Sequence, residues 1–211
     1  MHQALYRVYR PKTFDEIVGQ TQVTEVLKNQ IIQGTPAHAY LFSGTRGTGK
    51  TSCAKVLSRA VNCLHPVNGN PCNACANCKE ALQETTLDIV EMDAASNRRI
   101  DDIRELREQV FYLPAQLKYK VYIIDEAHMI TNEGFNALLK TLEEPPAHLI
   151  FILATTEAER IPSTILSRCQ RFEFSRIDEE IISDHLEKIV QKTEIPFEKE
   201  ALDSIAKKSG G

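Results

Sequence analysis

The sequence predicts an α/β fold, a mostly parallel sheet with helices on both faces, built around a phosphate-binding loop. Three observations predict it. Short apolar runs at 39–42, 87–91, 121–124 and 149–153 alternate with segments of helical hydrophobic period. The run Gly44-Thr45-Arg46-Gly47-Thr48-Gly49-Lys50-Thr51 follows the first of these directly and matches G-x-x-x-x-G-K-T in a strand–loop–helix context. The third run emerges into an acidic pair, Asp125-Glu126.

The elements follow in order. Val23, Val26, Leu27, Gln30 and Ile31 lie at helical spacing between Gln20 and Gln33, and Gly34 stops that helix. The strand at 39–42 feeds the glycine loop, and Lys50 to about Cys63 reads as the next helix. A cysteine-rich insertion fills 63–78, and 87–91 resumes as strand with Met92-Asp93 at its end. Ile100, Ile103, Leu106, Arg107, Val110 and Phe111 share a helix closed by Pro114. The strand at 121–124 precedes a stripe of Phe135, Leu138, Leu139 and Leu142, stopped by Pro145-Pro146. Ala154-Thr155-Thr156 lie at the mouth of the strand at 149–153, and 170–174 is a last short strand. Two helices, at 178–192 and 198–208, follow without a strand and turn at Ile195-Pro196.

The expected division is a nucleotide-binding domain over 1–176, carrying the insertion at 63–78, and the start of an all-helical lid over 177–211. That second part is too short to be an independent domain, so the chain reads as a fragment. Its 211 residues, 42% hydrophobic and 26% charged, have an ordinary globular composition. No apolar run approaches membrane-spanning length and the opening residues form no secretory segment, so a cytoplasmic location is expected. A net charge of −4 gives no general basic footprint for nucleic acid, although Arg7, Arg10 and Lys12 form an acid-free strip.

The chemistry predicted for the loop follows from its residue types. Glycines at 44, 47 and 49 let backbone N–H groups turn toward an anion, and a helix starting near Lys50 adds its unpaired N–H groups and dipole. Residues Thr45, Arg46, Gly47, Thr48, Gly49, Lys50, Thr51 and Ser52 are the candidate nucleotide cradle. Lys50 can reach the β- and γ-phosphates, and Thr51 can ligate magnesium. Carboxylates at the end of a buried strand are costly unless they meet a metal or a donor. Asp125 is therefore the candidate second magnesium ligand, and Glu126 the group that polarises an attacking water. Thr155 or Thr156 could bond that water or the γ-phosphate; satisfying the strand end is the simpler alternative. Arg168 could stabilise a transition state in its own or a neighbouring subunit, or make a plain salt bridge.

Cys63, Cys72, Cys75 and Cys78 have the spacing C-x8-C-x2-C-x2-C. In a reducing compartment this predicts a tetrahedral, structural zinc site ahead of an iron–sulfur cluster or redox pair. The loop between them has almost no core-building residues, so the metal is expected to supply its order. Cys53 and Cys169 read as packed thiols.

Several stretches together resemble one family. Tyr9-Arg10-Pro11-Lys12-Thr13-Phe14-Asp15-Glu16-Ile17-Val18-Gly19-Gln20 is similar to the opening of clamp-loader ATPases. His38 through Gly47, the cysteine module, Ile124 through Met129, Asn136 through Pro146 and Leu166-Ser167-Arg168-Cys169 narrow the resemblance to the gamma/tau family of bacterial DNA polymerase III. The resemblance implies an AAA+ ATPase with a zinc-module insertion, using ATP, Mg2+ and Zn2+. Carried over, it places Arg10, Pro11 and Val18 on the adenine side with Tyr9 nearby, Thr156 as the polar sensor and Arg168 as the arginine finger for ATP in an adjacent subunit. It implies delta, delta-prime and further gamma/tau subunits, a sliding clamp and primer–template DNA as partners. The polymerising activity of the holoenzyme would lie in other subunits. A further sensor arginine and a collar domain would lie beyond Gly211, which is compatible with a monomeric fragment. Two other readings are a nucleotide-dependent scaffold with negligible isolated turnover and a helicase-loader or branch-migration ATPase of the same broad fold.

Overall fold

The computed structural model describes residues 5–83, 86–96, 100–193 and 196–211. Strands β1 (Ala39–Gly44), β2 (Ile89–Asp93), β3 (Lys120–Asp125), β4 (Leu149–Thr155) and β5 (Gln170–Phe174) form a parallel sheet in the order β2-β3-β4-β1-β5. The helices are α1 (Leu5–Val8), α2 (Thr21–Gln33), α3 (Lys50–Asn62), α4 (Ala76–Leu82), α5 (Ile100–Gln109), α6 (Asn132–Glu143), α7 (Ser163–Leu166), α8 (Glu179–Lys192) and α9 (Lys199–Ser209). The predicted α/β architecture is present, with α8 and α9 forming a lid-like helical region after the sheet.

Strand alternation divides two cores. Tyr40, Phe42, Ile123 and Ile152 face Val23 and Leu27 of α2 and Ala54 and Leu57 of α3. Ala39, Leu41, Ile124 and Leu153 face Ile103 and Leu106 of α5 and Phe135, Leu138 and Leu142 of α6. Because both faces are covered, the central strands read as continuous apolar runs, and β4 is buried along its whole length. Fully burying each large side chain contributes roughly 1.5–3 kcal/mol.

Some boundaries differ from the sequence reading. The helix α5 ends at Gln109, and Phe111, expected on its buried face, is 59% exposed. Val110 is the last core contact before the chain approaches Pro114, whose ring disfavours helical geometry at the residue before it. The Ile100 side chain lies outside the described residues. Val26 and Leu87 are exposed rather than packed, and β2 starts at Ile89. The short helices α4 and α7 had no clear periodic signal. The turn expected at Ile195-Pro196 includes residue 195, outside the described residues.

Two backbone features set the position of the strand ends. Gly44 has φ +145°, and a Cβ there would lie 2.3 Å from the Phe174 carbonyl oxygen, so glycine permits the close approach of β5 to the end of β1. At the other side, buried Asp88 accepts the N–H groups of Ala115 (2.8 Å), Gln116 (2.9 Å) and Leu117 (2.9 Å), fixing the turn that leads into β3. Burial raises the Asp88 pKa, but these three donors outweigh it and hold the carboxyl below its ordinary value. We expect Asp88→Ala to cost about 3 kcal/mol in denaturant unfolding. The depressed native pKa makes the charge's contribution fully present above the unfolded carboxylate value of about 4 and lost as pH falls through the native value. The stability gap between wild type and Asp88→Asn should therefore close in acid; a gap independent of pH would contradict this assignment.

Candidate active site

The end of β1 and the start of α3 build the phosphate loop. Gly47 and Gly49 have φ of +88° and +100°, Gly49 capping α3 in the left-handed region. The ammonium of Lys50 donates to the carbonyls of Gly44 (2.8 Å) and Thr45 (2.7 Å), while the Thr48 hydroxyl donates to Thr45 O (2.9 Å). Burial pulls the Lys50 pKa below its ordinary value, opposed by the nearby Glu126 and Asp125 carboxylates. Buried Gln20 ties the loop to the exit of β5, donating to Ser175 O (2.7 Å) and Thr48 O (3.3 Å) and accepting from Ser175 N (3.2 Å).

Pairing of β3 with β4, and of β4 with β1, carries the acidic pair to the same side of the sheet as the loop. The Thr51 hydroxyl donates to Asp125 Oδ2 at 2.7 Å, and Glu126 N donates to Asp125 Oδ1 at 2.9 Å. Glu126 itself has φ +47°, a left-handed conformation costing roughly 1–2 kcal/mol for a residue with a side chain. Its Oε2 accepts the Thr156 hydroxyl at 3.1 Å. Thr155, the alternative considered, is fully buried and instead lies 3.0 Å from His128 Nδ1. Arg46, Gly47, Gly49, Lys50, Thr51 and Ser52 line one cavity of about 510 Å3 with Asp125 and Glu126; Thr45 and Thr48 shape the loop beneath it. The hard oxygens of Thr51 and Asp125 are adjacent and suited to a magnesium ion.

Two neighbouring residues were not singled out from the sequence. Asp93 pairs with Asp125 in the β2–β3 register and lines the same cavity. His128 is buried behind Glu126. Only the register and the chain reversal after β3 bring them there; the nearest sequence signals are the position of Asp93 at a strand end and of His128 two residues after Glu126.

The remaining candidates do not share one cavity. Arg10 borders the phosphate cavity, and Val18 lies with Arg46, Ile177, Ile182 and Leu186 around a hollow of about 250 Å3 beside α8. Pro11 faces a third hollow, of about 380 Å3, with Lys55 and Arg59 of α3. Tyr9 donates its N–H to Leu5 O at 2.9 Å and borders none of these three. Arg168, just after α7, donates to Thr164 O (2.7 Å) and pairs with Glu143 (2.5 Å). It is absent from the lining of the phosphate cavity.

The Sγ atoms of Cys63, Cys72, Cys75 and Cys78 lie within 4.8 Å of one another. Tetrahedral Zn–S bonds of about 2.3 Å place sulfurs roughly 3.8 Å apart, so this four-thiol set is consistent with a structural zinc site. The N–H groups of Cys72 and Cys75 donate to Cys63 and Cys72 sulfurs, each at 3.3 Å. Donors from Ala74 and Cys75 lower the Cys72 pKa to about 6, whereas burial raises that of Cys78. Burial also raises the Cys53 pKa, and that of Cys169 to about 11, as for packed thiols. Within the insertion, Val67 and Asn70 also exchange backbone hydrogen bonds of 2.9 Å around an Asn68-Gly69 turn. A Cβ on Gly69 would lie 2.6 Å from Lys28 O, so this turn also packs closely on α2.

Residues 19–178 match the family model described as DNA polymerase III, delta subunit. Across 210 residues the chain is 52% identical to DNA polymerase III subunit tau of Bacillus subtilis and 47% identical to that of Escherichia coli. Each alignment covers 100% of this chain but only 37% and 33% of those proteins, so the chain spans about a third of these curated relatives. Among solved structures, the Thermotoga maritima RuvB Holliday junction branch migration motor superposes with TM-score 0.64 at 20% identity, covering 94% of this chain and 59% of that one. A DNA polymerase III gamma subunit-related protein of Thermotoga maritima gives TM-score 0.51 at 23% identity over 79% of this chain and 53% of its own. These two likenesses speak for the fold alone. No helix among the described residues is long and apolar enough to cross a membrane. The match to the family model and the alignments along the whole chain establish that it belongs to the gamma/tau family of bacterial DNA polymerase III subunits, of which it represents an AAA+ portion.

Proposed function

We propose that this chain carries the ATP-binding and hydrolysing part of a clamp-loader motor subunit, whose full-length form loads a sliding clamp onto primed DNA. The observation that carries the reading is the 2.7 Å contact between Thr51 and Asp125, which joins the phosphate loop to the acidic strand end. Backbone N–H groups of the loop and Lys50 would bind the phosphates, exchanging the lysine's present carbonyl partners for phosphate oxygens. Thr51 and Asp125 would hold magnesium, which when bound neutralises charge on the β- and γ-phosphates. Glu126 accepts a proton from, or polarises, the attacking water, and Thr156 orients that carboxylate.

We read residues 1–176 as the nucleotide-binding domain with its insertion at 63–78, and 177–211 as the beginning of the lid. Arg10 and Val18 border the phosphate and lid cavities, which favours a base-side role for that segment. The other loader subunits, the clamp and primer–template DNA are the partners of the whole protein under this reading. The position of Arg168 outside the phosphate cavity favours low turnover until subunits assemble, the condition in which the scaffold reading would describe an isolated chain. The test is Glu126→Gln in the full-length chain within a reconstituted, clamp- and DNA-stimulated assembly. ATP affinity should persist while steady-state hydrolysis falls on the order of a hundredfold. Unchanged hydrolysis there would sink the assigned role.

A further inference from the structure

Behind the acidic pair, a closed polar network is centred on His128. This imidazole is 8% exposed and stands in the 3-10 turn Ala127–Met129 that follows β3. Its Nε2 is 3.1 Å from Glu157 Oε1, and its Nδ1 is 3.0 Å from Thr155 Oγ1. The Glu157 N–H donates to the same Thr155 hydroxyl at 3.0 Å. For the neutral ring, one proton assignment satisfies all these groups. Nε2 carries the hydrogen and donates to Glu157, while Thr155 accepts the Glu157 N–H and donates its own hydrogen to bare Nδ1.

That assignment constrains Glu126. Its Oε2 lies 3.4 Å from Nδ1, so two acceptors face each other and no hydrogen bond forms between them. The Thr156 hydroxyl, 3.1 Å away, is then the donor to that oxygen. Glu126 sits on a left-handed turn residue beyond the end of β3, outside the hydrogen-bond ladder that fixes the strand. A rigid wall beside its carboxylate therefore matters more than it would within a strand.

We propose that His128 is a positioning residue for Glu126. Clamped by Glu157 and Thr155 across the ends of β3 and β4, its ring holds the carboxylate toward Thr156 and in reach of a water beside the terminal phosphate. The inference rests on the reading of Glu126 as the water-polarising group. It assigns His128 no proton transfer and no contact with substrate.

The test uses the full-length chain in the reconstituted assembly, with hydrolysis and ATP binding measured separately. His128→Ala should lower kcat on the order of ten- to a hundredfold, the scale expected when a reacting group is displaced by about 1 Å. ATP affinity should stay within about twofold of wild type, because the ring does not face the phosphate loop. His128→Asn, which keeps an acceptor near the Nδ1 position, should recover much of the rate. In a Glu126→Gln background, His128→Ala should add no further loss in single-turnover hydrolysis. An unchanged kcat, the same loss in that background, or ATP affinity falling in step with kcat would each overturn the proposal. If His128→Ala does not assemble, Glu157→Ala reads the same clamp at a 43% exposed side chain. It should slow kcat several-fold, on the lower side of the displacement scale, with recovery in Glu157→Gln; no change would equally overturn it. If Glu126→Gln itself leaves hydrolysis intact, the Glu126 reading fails and removes this inference with it, whereas loss there with a normal His128→Ala defeats only the positioning role.

Discussion

Arg168→Ala is expected to leave ATP binding by the altered subunit intact and to slow hydrolysis at a neighbouring subunit's nucleotide on the order of a thousandfold. The expectation comes from the family resemblance around Leu166-Ser167-Arg168-Cys169, and the position of the guanidinium is compatible with it. It follows α7, lies outside the lining of the phosphate cavity, and is held at the surface by Glu143 and the Thr164 carbonyl. An arginine so placed supplies nothing to its own loop. Brought against another subunit, it can meet charge developing on that subunit's γ-phosphate, where a fixed cation is worth far more than in water. Assemblies mixing wild-type and altered full-length subunits, with hydrolysis assigned to each nucleotide, provide the measurement. A defect confined to the altered subunit's own nucleotide would defeat the trans assignment. Its exposed ion pair with Glu143 contributes only about 0–1 kcal/mol and is a weak competitor for such an interface.

Metal removal should have the second large effect. With four thiols drawn together and little apolar packing between them, zinc would provide much of the free energy that orders the insertion; structural zinc contributes on the order of 10 kcal/mol in small finger peptides. Protein purified without added metal should contain about one zinc per chain, the ratio set by four cysteine ligands. Chelation, or Cys78→Ser at the fully buried ligand, should abolish amide-exchange protection in the 72–82 segment before the central sheet opens. Protection unaltered by complete metal removal would overturn the structural role. The Asn68-Gly69 turn survives on local geometry, so the sharpest loss is expected around Cys72, Cys75 and Cys78 rather than at the turn.

The phosphate loop and the acidic pair were legible because their chemistry demands particular residue types at short spacing. The sheet was legible because covered parallel strands leave uninterrupted apolar runs. Asp93 and His128 were not, because β-strand register and a reversal after β3, rather than local spacing, bring them to the site. Phe111 matched a helical stripe that ended before reaching it, since Pro114 constrains the turn beyond Val110. The base-side residues inferred by resemblance are the least convergent: Arg10 borders the phosphate cavity and shares a second hollow with Pro11, while Val18 lines a third.

The cysteine insertion also holds the segment that leads into the candidate site. Asn70 accepts Phe14 N–H and donates to Asp15, each at 2.8 Å, and Asn73 donates to Lys12 O at 3.0 Å. Arg59 of α3 grips the same Lys12 carbonyl at 3.1 Å. If Arg10 and Val18 border bound ATP, metal and nucleotide share a wall and their affinities are thermodynamically reciprocal. Whatever factor the metal adds to ATP affinity, ATP must add to metal affinity. A chain short of zinc would then bind its nucleotide with an affinity changed by that same factor.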